Sequence, residues 1–236
     1  MVKVGCCGFA GARASYYRQF TAVEVQQTFY RLPRLETLRL WRAEAPAGFT
    51  FTIKAFQGVT HPATSPTYRR SGLSIPPEMR DAYGLFRPTR EVAEAWEATR
   101  QAAQALDAEV VLLQCPATFT PTPEHLAWLR QFLHNIGPFP FRLAWEPRGQ
   151  AWDDALVRGV CLGGGLIHAT DPLERPPLTP PPFYFRLHGG PRYAHRYTDE
   201  ELHRLATLVK GKEGWVFFNN SVHMRGDALR LLALLG

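Results

Sequence analysis

The chain has 236 residues, of which 45% are hydrophobic and 20% are charged, and its net charge is +6 at pH 7. This balance excludes an intrinsically disordered chain, which would combine lower hydrophobicity with a larger net charge. The length suffices for one domain with a large buried core, and an eight-unit α/β barrel needs about 250 residues. The mild basic excess is compatible with nucleic-acid binding but does not require it.

The sequence contains no run of about 18 apolar residues, so no membrane span is expected. Residues 1–5 lack the apolar stretch of a signal peptide, and we therefore expect a cytoplasmic protein, with a monomer favoured. The cysteines are Cys6, Cys7, Cys115 and Cys161. The first three could meet at adjacent strand ends, but reduced, inert, buried thiols are the favoured interpretation.

Short apolar strands alternate along the chain with segments of helical periodicity, which is the pattern of βα units. In chain order the predicted elements are strand 2–6, strand 22–26, helix 34–45, strand 49–55, helix 91–106, strand 110–114, helix 123–136, strand 141–145, helix 152–161, strand 165–169, strand 183–187, helix 198–209, strand 215–218 and helix 226–235. Thr198 and Glu201 are expected to form a capping box. About eight strands, most of them followed by a helix, predict a single TIM-like (β/α)₈ barrel domain over residues 1–236.

One segment departs from the alternating pattern. Residues 56–90 are rich in glycine and proline, carry several arginines and show few apolar repeats. They are predicted to form a long loop after the third strand. A loop of this length in a compact domain is either functional or disordered.

The carboxyl ends of the strands form the active face of such a barrel, so polar residues there are the first candidates for a site. These residues are Cys6, Cys7, Glu24, Gln27, Thr28, Tyr30, Lys54, Gln114, Glu146, Arg148, His168, Asp171, Arg186, His188, Asn219 and Asn220. An unpaired Glu24 or Lys54 in a packed interior would cost several kcal/mol, so each must either pair or face a wet pocket. With Glu146, Arg186 and His188 nearby, the pocket is the better interpretation.

Five segments carry a family resemblance: VEVQQTFYRLP at 23–33, GFTFTIKA at 48–55 followed by Thr60 and His61, FRLHG at 185–189, YTDEEL at 197–202 and VFFNN at 216–220. In this order they resemble the motifs of the YecE-like barrel family, a domain-of-unknown-function family, and they span nearly the whole chain. The resemblance implies a TIM-like barrel but no known reaction. The mouth residues that it implies are Glu24, Thr28, Tyr30, Arg31, Lys54, His61, Glu146, Arg186, His188, Asn219 and Asn220.

Three departures from the family pattern bear on function. Gln26 stands where the family commonly has Asn, and Cys6-Cys7-Gly8-Phe9 replaces a Gly-Trp-Ser-like start. After the fifth strand the family often reads Glu-Phe-Arg-His, whereas this chain retains Glu146 and Arg148 but has Gly149 in place of the histidine. If that histidine is essential in the family, the chemistry of this chain is altered or lost.

The first functional hypothesis is an enzyme, with hydrolysis or phosphodiester chemistry favoured, that acts on a phosphorylated or otherwise anionic small molecule. Lys54, Arg148 and Arg186 would clamp the anion, because the arginine fork suits bidentate phosphate binding. His188 or Glu146 would serve as general acid or base, unless His188 is a structural histidine bonded to a carbonyl group. The candidate catalytic residues are Glu24, Glu146 and His188. The candidate substrate-binding residues are Thr28, Tyr30, Arg31, Lys54, His61, Arg148, Arg186, Asn219 and Asn220.

Two other functions stay open. A nucleic-acid-binding or endonuclease-like protein would use the basic excess, the arginines of residues 56–90 and loop aromatic side chains that stack on bases. A non-catalytic ligand-binding module would use the same pocket without turnover. The potential metal ligands come from different strands without a metal-binding spacing, which leaves a single Mg²⁺ or Mn²⁺ open. These ligands are Glu24, Glu146, His168, Asp171 and His188.

Overall fold

The computed structural model describes residues 1–190 and 192–236. In this part of the chain, eight parallel strands form a closed barrel in sequence order, and the first strand pairs with the last. The strands are β1 (Val2–Cys7), β2 (Ala22–Val25), β3 (Thr50–Lys54), β4 (Val110–Gln114), β5 (Arg142–Glu146), β6 (Ile167–Thr170), β7 (Phe183–Leu187) and β8 (Gly214–Phe218). The predicted (β/α)₈ barrel is therefore confirmed.

In the described ranges, each strand except β6 is followed by at least one helix. The helices are α1 (Arg13–Tyr17), α2 (Gln27–Tyr30), α3 (Leu35–Glu44), α4 (Gln57–Thr60), α5 (Arg90–Leu106), α6 (Pro123–Asn135), α7 (Asp154–Gly164), α8 (Asp199–Val209) and α9 (Met224–Leu235). The expected capping box begins α8: Thr198 Oγ1 accepts from the Glu201 amide at 3.2 Å, and Glu201 Oε2 accepts from the Thr198 amide at 2.7 Å. Within the described ranges, no helix has the length and apolarity needed to cross a bilayer.

The segment predicted as one long loop, residues 56–90, contains local structure. It holds α4 and two 3₁₀ helices, Pro66–Arg70 and Pro77–Ala82. Each 3₁₀ helix begins with proline, whose fixed φ suits a first helical position. Helices of four to six residues are too short to show a periodic apolar face, so sequence periodicity could not reveal them. For the same reason α1 and α2 were not predicted, and Gln27, Thr28 and Tyr30 lie in α2 rather than in an extension of β2.

Successive residues of a strand face opposite sides of the sheet, and this alternation decides which side chains enter the barrel. On β1, Cys6 packs towards the helices while Cys7 belongs to the interior cluster. The rest of that cluster is apolar or aromatic and consists of Ala22, Val110, Leu112, Ala144, Ile167, Ala169, Tyr184, Trp215 and Phe217. Two positions further along several strands, the same face carries polar side chains. These are Glu24, Gln114, Glu146, Arg186 and Asn219. The barrel is therefore filled by apolar groups below a polar layer at its carboxyl end.

Candidate functional site

The guanidinium of Arg186, on β7, lies at the centre of the polar layer, and only 1% of this residue is exposed. Its Nε lies 3.0 Å from Glu24 Oε2, and its Nη2 lies 2.9 Å from Glu24 Oε1. Nη1 donates to Glu146 Oε2 at 2.5 Å and to Gln114 Oε1 at 3.2 Å. A buried guanidinium requires such acceptors, because an unpaired buried charge is strongly destabilising. Arg186 therefore links strands β2, β4, β5 and β7 across the interior.

Glu24, on β2, is fully buried and accepts hydrogen bonds from several donors besides Arg186. Tyr184 donates to its Oε2 at 2.6 Å, and the same hydroxyl lies 2.9 Å from Thr52 Oγ1. Cys7 Sγ lies 3.1 Å from Oε1, and Gln26 Nε2 also donates to that oxygen. Side chains of the protein thus occupy the hydrogen-bonding positions of both Glu24 oxygens. This arrangement suits a residue that positions its neighbours better than one that binds a ligand.

Glu146, at the end of β5, connects the buried ion pair to the open mouth. Its Oε2 accepts from Arg186, while its Oε1 lies 2.9 Å from Arg148 Nε and 3.2 Å from His188 Nε2. Burial raises the pKa of the Glu146 carboxyl, but the charges of Arg186, His188 and Arg148 outweigh burial and hold that pKa well below its usual range. Glu146 is therefore a carboxylate at neutral pH.

His188 follows β7 and is held in place from three sides. Its backbone amide donates to Asp171 Oδ2 at 3.0 Å, and its ring packs edge-on against Tyr193 with centroids 5.6 Å apart. Asn219 Nδ2 lies 3.4 Å from Nδ1 of the imidazole. In the tautomer that satisfies both Asn219 and Glu146, Nδ1 accepts and Nε2 donates, so Arg148 Nη2, 3.3 Å from Nε2, is in contact with the ring without donating to it. His188 and Glu146 therefore form an oriented pair that can exchange a proton.

Lys54, at the end of β3, differs from the arginines in its partners. It is 5% exposed, and its Nζ lies 3.4 Å from the centroid of the Phe29 ring. Among the described residues no acceptor lies within hydrogen-bond distance of Nζ. The Lys54 side chain lines a cavity at the mouth of the barrel. Burial and the charge of Arg186, acting against the carboxylates Glu146 and Glu24, together lower the pKa of Lys54 to about 7. The amine is therefore partly uncharged at neutral pH.

His61, which follows α4, lies on the same side of the mouth as Lys54. Its Nδ1 is 2.8 Å from Thr60 Oγ1, and its ring packs edge-on against Phe29 with centroids 4.8 Å apart. Burial lowers the pKa of His61 to about 3, and Lys54 and Arg148 contribute in the same direction. His61 is therefore neutral and adds no charge to the site.

These side chains surround two adjoining cavities at the carboxyl end of the barrel. The mouth cavity has a volume of about 640 Å³ and is lined by Cys7, Gln26, Phe29, Tyr30, Lys54, His61, Ser65, Thr67, Gln114, Pro116, Ala117, Arg148, Arg186, Tyr193, Asn219, Ser221 and Met224. The side cavity has a volume of about 490 Å³, and its polar lining includes Glu146, His168, Asp171, Glu174, Arg175 and His188. Arg148 and Tyr193, joined by a 3.0 Å hydrogen bond, line both cavities and separate them.

The structure brings together most, but not all, of the residues that the sequence assigns to the site. Tyr30, Lys54, His61, Arg148, Arg186 and Asn219 line the mouth cavity, and Glu146 and His188 line the side cavity. Glu24 lies beneath, bonded to Arg186. Three others lie outside these linings. Thr28 donates to the backbone carbonyls of Val25 and Lys54, Asn220 donates to Asp227, and Arg31 is exposed.

The cysteines do not form a cluster. Cys6 and Cys7 face opposite sides of β1, so the approach of Cys6, Cys7 and Cys115 considered from the sequence is not found. Cys115 instead accepts a hydrogen bond from Trp145 Nε1 at 3.2 Å. Burial raises the pKa of Cys6 to about 12 and that of Cys7 well above its usual value, so neither is a ready thiolate. Within residues 1–190 and 192–236 no three His, Cys, Asp or Glu side chains are grouped as a metal site would require.

The sequence alone did not point to Tyr184, which binds Glu24, and did not assign Tyr193 to the pocket, where it binds Arg148. Gln114, a predicted strand-end candidate, binds Arg186. The signal for Tyr184 was available, because it precedes Arg186 by two positions and must share its face of the strand. Tyr193 lies in a loop, where no periodic pattern predicts the direction of a side chain.

Other proteins share this architecture. YunF of Bacillus subtilis is 26% identical over 251 residues, which cover 91% of this chain and 81% of YunF. The solved structure of a DUF72 family protein from Enterococcus faecalis covers all of this chain and 95% of its own, at 20% identity and a TM-score of 0.72. That of a DUF72 family protein from Thermotoga maritima covers all of this chain and 99% of its own, at 22% identity and a TM-score of 0.71.

More distant barrels share the fold alone. D-psicose 3-epimerase is 12% identical with a TM-score of 0.60, and endonuclease IV from Thermus thermophilus is 13% identical with a TM-score of 0.52. The two neighbours differ in activity, which shows how little such a likeness says about chemistry. The family model described as "Protein of unknown function DUF72" matches residues 11–236. With nearly the whole chain matched, this protein belongs to the DUF72 family.

Proposed function

We propose that this chain, as a YecE-like member of the DUF72 family, binds a small anionic ligand beside Arg148, where the mouth and side cavities adjoin, and moves a proton at that ligand. The observation that carries the proposal is the Lys54 amine, which is buried beside the mouth cavity without an acceptor from the described residues. A carboxylate or phosphate oxygen of a ligand would supply that acceptor. Binding would favour the protonated amine, because a nearby anion stabilises the charged form.

The distribution of charge determines which cations are available to a ligand. Arg186 is enclosed by Glu24 and Glu146, so it supports the site from below rather than clamping an anion. Arg148 shares Glu146 with two other groups, and 31% of its side chain is exposed. Of the three cations that line the mouth cavity, Lys54 and Arg148 are therefore the more available to a ligand, and Arg148 retains donors for a bidentate contact.

The His188–Glu146 pair would supply the proton transfer. Glu146 is held as a carboxylate, and the imidazole Nε2 lies 3.2 Å from its Oε1. Asn219 holds the far side of the ring, which fixes the tautomer. General acid–base catalysis of this kind supports hydrolysis, the reaction predicted from the sequence, and equally supports proton abstraction beside a carbonyl group.

Isothermal titration calorimetry with inorganic phosphate, L-lactate and glycerol 3-phosphate, at low ionic strength and about pH 6.5, tests the binding step. We expect Lys54→Met and Arg148→Met each to weaken binding at least about tenfold, as removal of one charged partner does in a desolvated site. Lys210→Met, at an exposed position, is the matched control. The proposal is wrong if none of these anions binds, or if the three variants bind them equally well.

Binding of nucleic acid is the second candidate, and a specific contact favours it. The Arg70 guanidinium lies 3.9 Å from the centroid of the Tyr30 ring at the rim of the mouth, beside the exposed Arg31. Such a cationic, aromatic rim suits a phosphate backbone with an adjacent base. Fluorescence polarisation with single-stranded, duplex and abasic oligonucleotides, across a salt series and with or without Mg²⁺ or Mn²⁺, tests it. If rising salt abolishes binding to all the oligonucleotides equally, the attraction is non-specific and this second candidate is wrong.

A further inference from the structure

We propose that Lys54 is a nucleophile that forms an imine with the carbonyl carbon of a small anionic aldehyde or ketone, such as a 2-oxo acid or a phosphorylated ketone. This inference rests on the proposed function, because Arg148 would hold the anionic group while Lys54 reacts. It adds a covalent step and a class of substrate to the binding site.

The position of Lys54 suits a reacting amine. The residue ends β3 and is paired in register with Leu112 of β4, so its side chain starts from a rigid part of the barrel. The amine lies 3.4 Å from the centroid of the Phe29 ring and opens onto the mouth cavity. No carboxylate among the described residues lies within ion-pair distance of Nζ, in contrast to Arg148 and Arg186. The amine thus lies at the wall of the cavity, largely buried, without being tied to a counter-ion.

The charged groups near Lys54 reinforce this state. The charges of Arg186 and Arg148 disfavour protonation of the Lys54 amine. Glu146 and Glu24 favour its protonation, but both carboxylates are already paired with arginines. Together with burial, these groups bring the pKa of Lys54 to about 7 from an ordinary value of 10.5. At pH 7 its free-amine fraction then exceeds that of an ordinary lysine on the order of a thousandfold. Desolvation beside other cations is an established way to activate a lysine amine.

Imine formation requires only the Lys54 amine and the carbonyl compound, and it releases water. The amine lone pair attacks the carbonyl carbon and the C–O π bond breaks, which gives a carbinolamine after a proton passes from nitrogen to oxygen. The carbinolamine then loses its hydroxyl group with the remaining amine hydrogen as water, and a C=N bond forms. Protonated at nitrogen, the imine keeps a positive charge at the position of Lys54, so an anionic group of the substrate remains paired.

Reductive trapping tests this step on the unmodified protein. The protein is incubated at about pH 7 with pyruvate or dihydroxyacetone phosphate, sodium borohydride is added, and modified lysines are mapped by peptide mass spectrometry. The chain has only four lysines, Lys3, Lys54, Lys210 and Lys212, so the other three serve as internal references. We expect the reduced adduct at Lys54 to exceed that at each reference lysine at least about tenfold, since its free-amine fraction is far larger.

Trapping and calorimetry together distinguish a protein that forms no imine from one that does not bind the anions at all. L-lactate and glycerol 3-phosphate carry the same anionic groups without the carbonyl, so they should protect Lys54 from trapping by their carbonyl counterparts. Labelling of the four lysines to similar extents, while these anions still bind in calorimetry, would overturn the imine and leave the binding site standing. Absence of both labelling and binding would overturn both.

Discussion

Glu24 and Arg186 form a buried bidentate ion pair across the barrel interior, with Nε–Oε2 and Nη2–Oε1 distances of 3.0 and 2.9 Å. Neither side chain is more than 1% exposed. Two charges removed from water in this way are stable only as long as each retains its partner. The pair therefore acts as a structural support for the mouth, although Arg186 also lines the mouth cavity.

The first prediction concerns this support. Glu24→Gln keeps the size of the side chain but leaves Arg186 with Glu146 as its only charged acceptor, and we expect the free energy of unfolding to fall by about 3–5 kcal/mol. Chemical denaturation monitored by circular dichroism measures the change. Glu44→Gln, which breaks the exposed pair with Arg13, is the control and should have little effect. An equally small effect at Glu24 would show that the buried pair does not support the fold.

The ion pair also shows how far the sequence predicts the site. The strand-end rule and the period of two correctly place Glu24 and Arg186 on the inner face, although 162 positions separate them. Which cation each carboxylate binds depends on side-chain reach across the closed barrel, and no local pattern contains that information. The sequence predicted Lys54, Arg148 and Arg186 together as an anion clamp. All three line the mouth cavity, but the guanidinium of Arg186 is also bonded to Glu24 and Glu146.

Local chemistry explains the remaining differences. Thr28 and Asn220 are polar residues just beyond strands, yet their side chains bond to the backbone and to Asp227, respectively, because short helices begin there. The long helices and the capping box at Thr198 were predictable, since they depend on repeated or adjacent residues. The sequence is thus a good guide to which strand end carries a polar group and a poor guide to where that group points.

A second prediction concerns the contact between β1 and β2. Gly5 pairs with Ala22, and the Tyr16 hydroxyl donates to the Ala22 carbonyl at 2.9 Å beside it. A Cβ atom at Gly5 would lie 1.9 Å from that carbonyl oxygen, so Gly5→Ala must separate the strands. We expect a loss of about 3 kcal/mol in the free energy of unfolding, at the upper end of overpacking effects.

The control for Gly5 is Gly159, an exposed residue inside α7 whose added Cβ would meet nothing within 4 Å. Gly159→Ala should stabilise the protein by about 0.5–1 kcal/mol, because alanine favours the helix more than glycine does. Thermal melts of the two variants therefore shift in opposite directions. A loss of stability in both would mean that Gly159 is not an exposed position of α7.

A third prediction is a pH dependence of stability due to Lys54. Its pKa is about 7 in the folded chain and near 10.5 when unfolded, so between these values the unfolded chain binds more protons. Stability therefore rises with pH across this window, and the cost of burying the charged amine is complete below about pH 7. Lys54→Met removes that cost. We expect the variant to have the higher melting temperature at about pH 6.5, with a gain that shrinks towards about pH 10.

Melting curves of Lys54→Met and of the wild-type protein across that pH range give the measurement, and Lys210→Met controls for loss of a surface lysine. A gain that does not change with pH would mean that methionine merely packs better at this position. A loss of stability at every pH would mean that Lys54 has a structural acceptor.

The last prediction concerns the boundary between the two cavities. Tyr193 accepts a 3.0 Å hydrogen bond from Arg148 Nη1, and its ring packs against His188. Tyr193 is a non-glycine residue with a φ of 55°, which shows that its loop is held in an unfavourable conformation to present this side chain. Tyr193→Phe keeps the ring but leaves Arg148 without one of its acceptors. We expect anion affinity in calorimetry to fall several-fold, equivalent to about 1 kcal/mol, the contribution of one ordinary hydrogen bond, while the protein stays folded with at most a small decrease in melting temperature.

The expected loss of affinity in Tyr193→Phe assumes that Tyr193, and not Glu146 alone, orients the Arg148 guanidinium. Arg148→Met should then weaken binding more than Tyr193→Phe, and combining the two should add nothing, because the hydroxyl acts only through the guanidinium. If the effects of the two substitutions instead add, Tyr193 contacts the ligand directly, and the wall between the cavities is itself part of the binding surface.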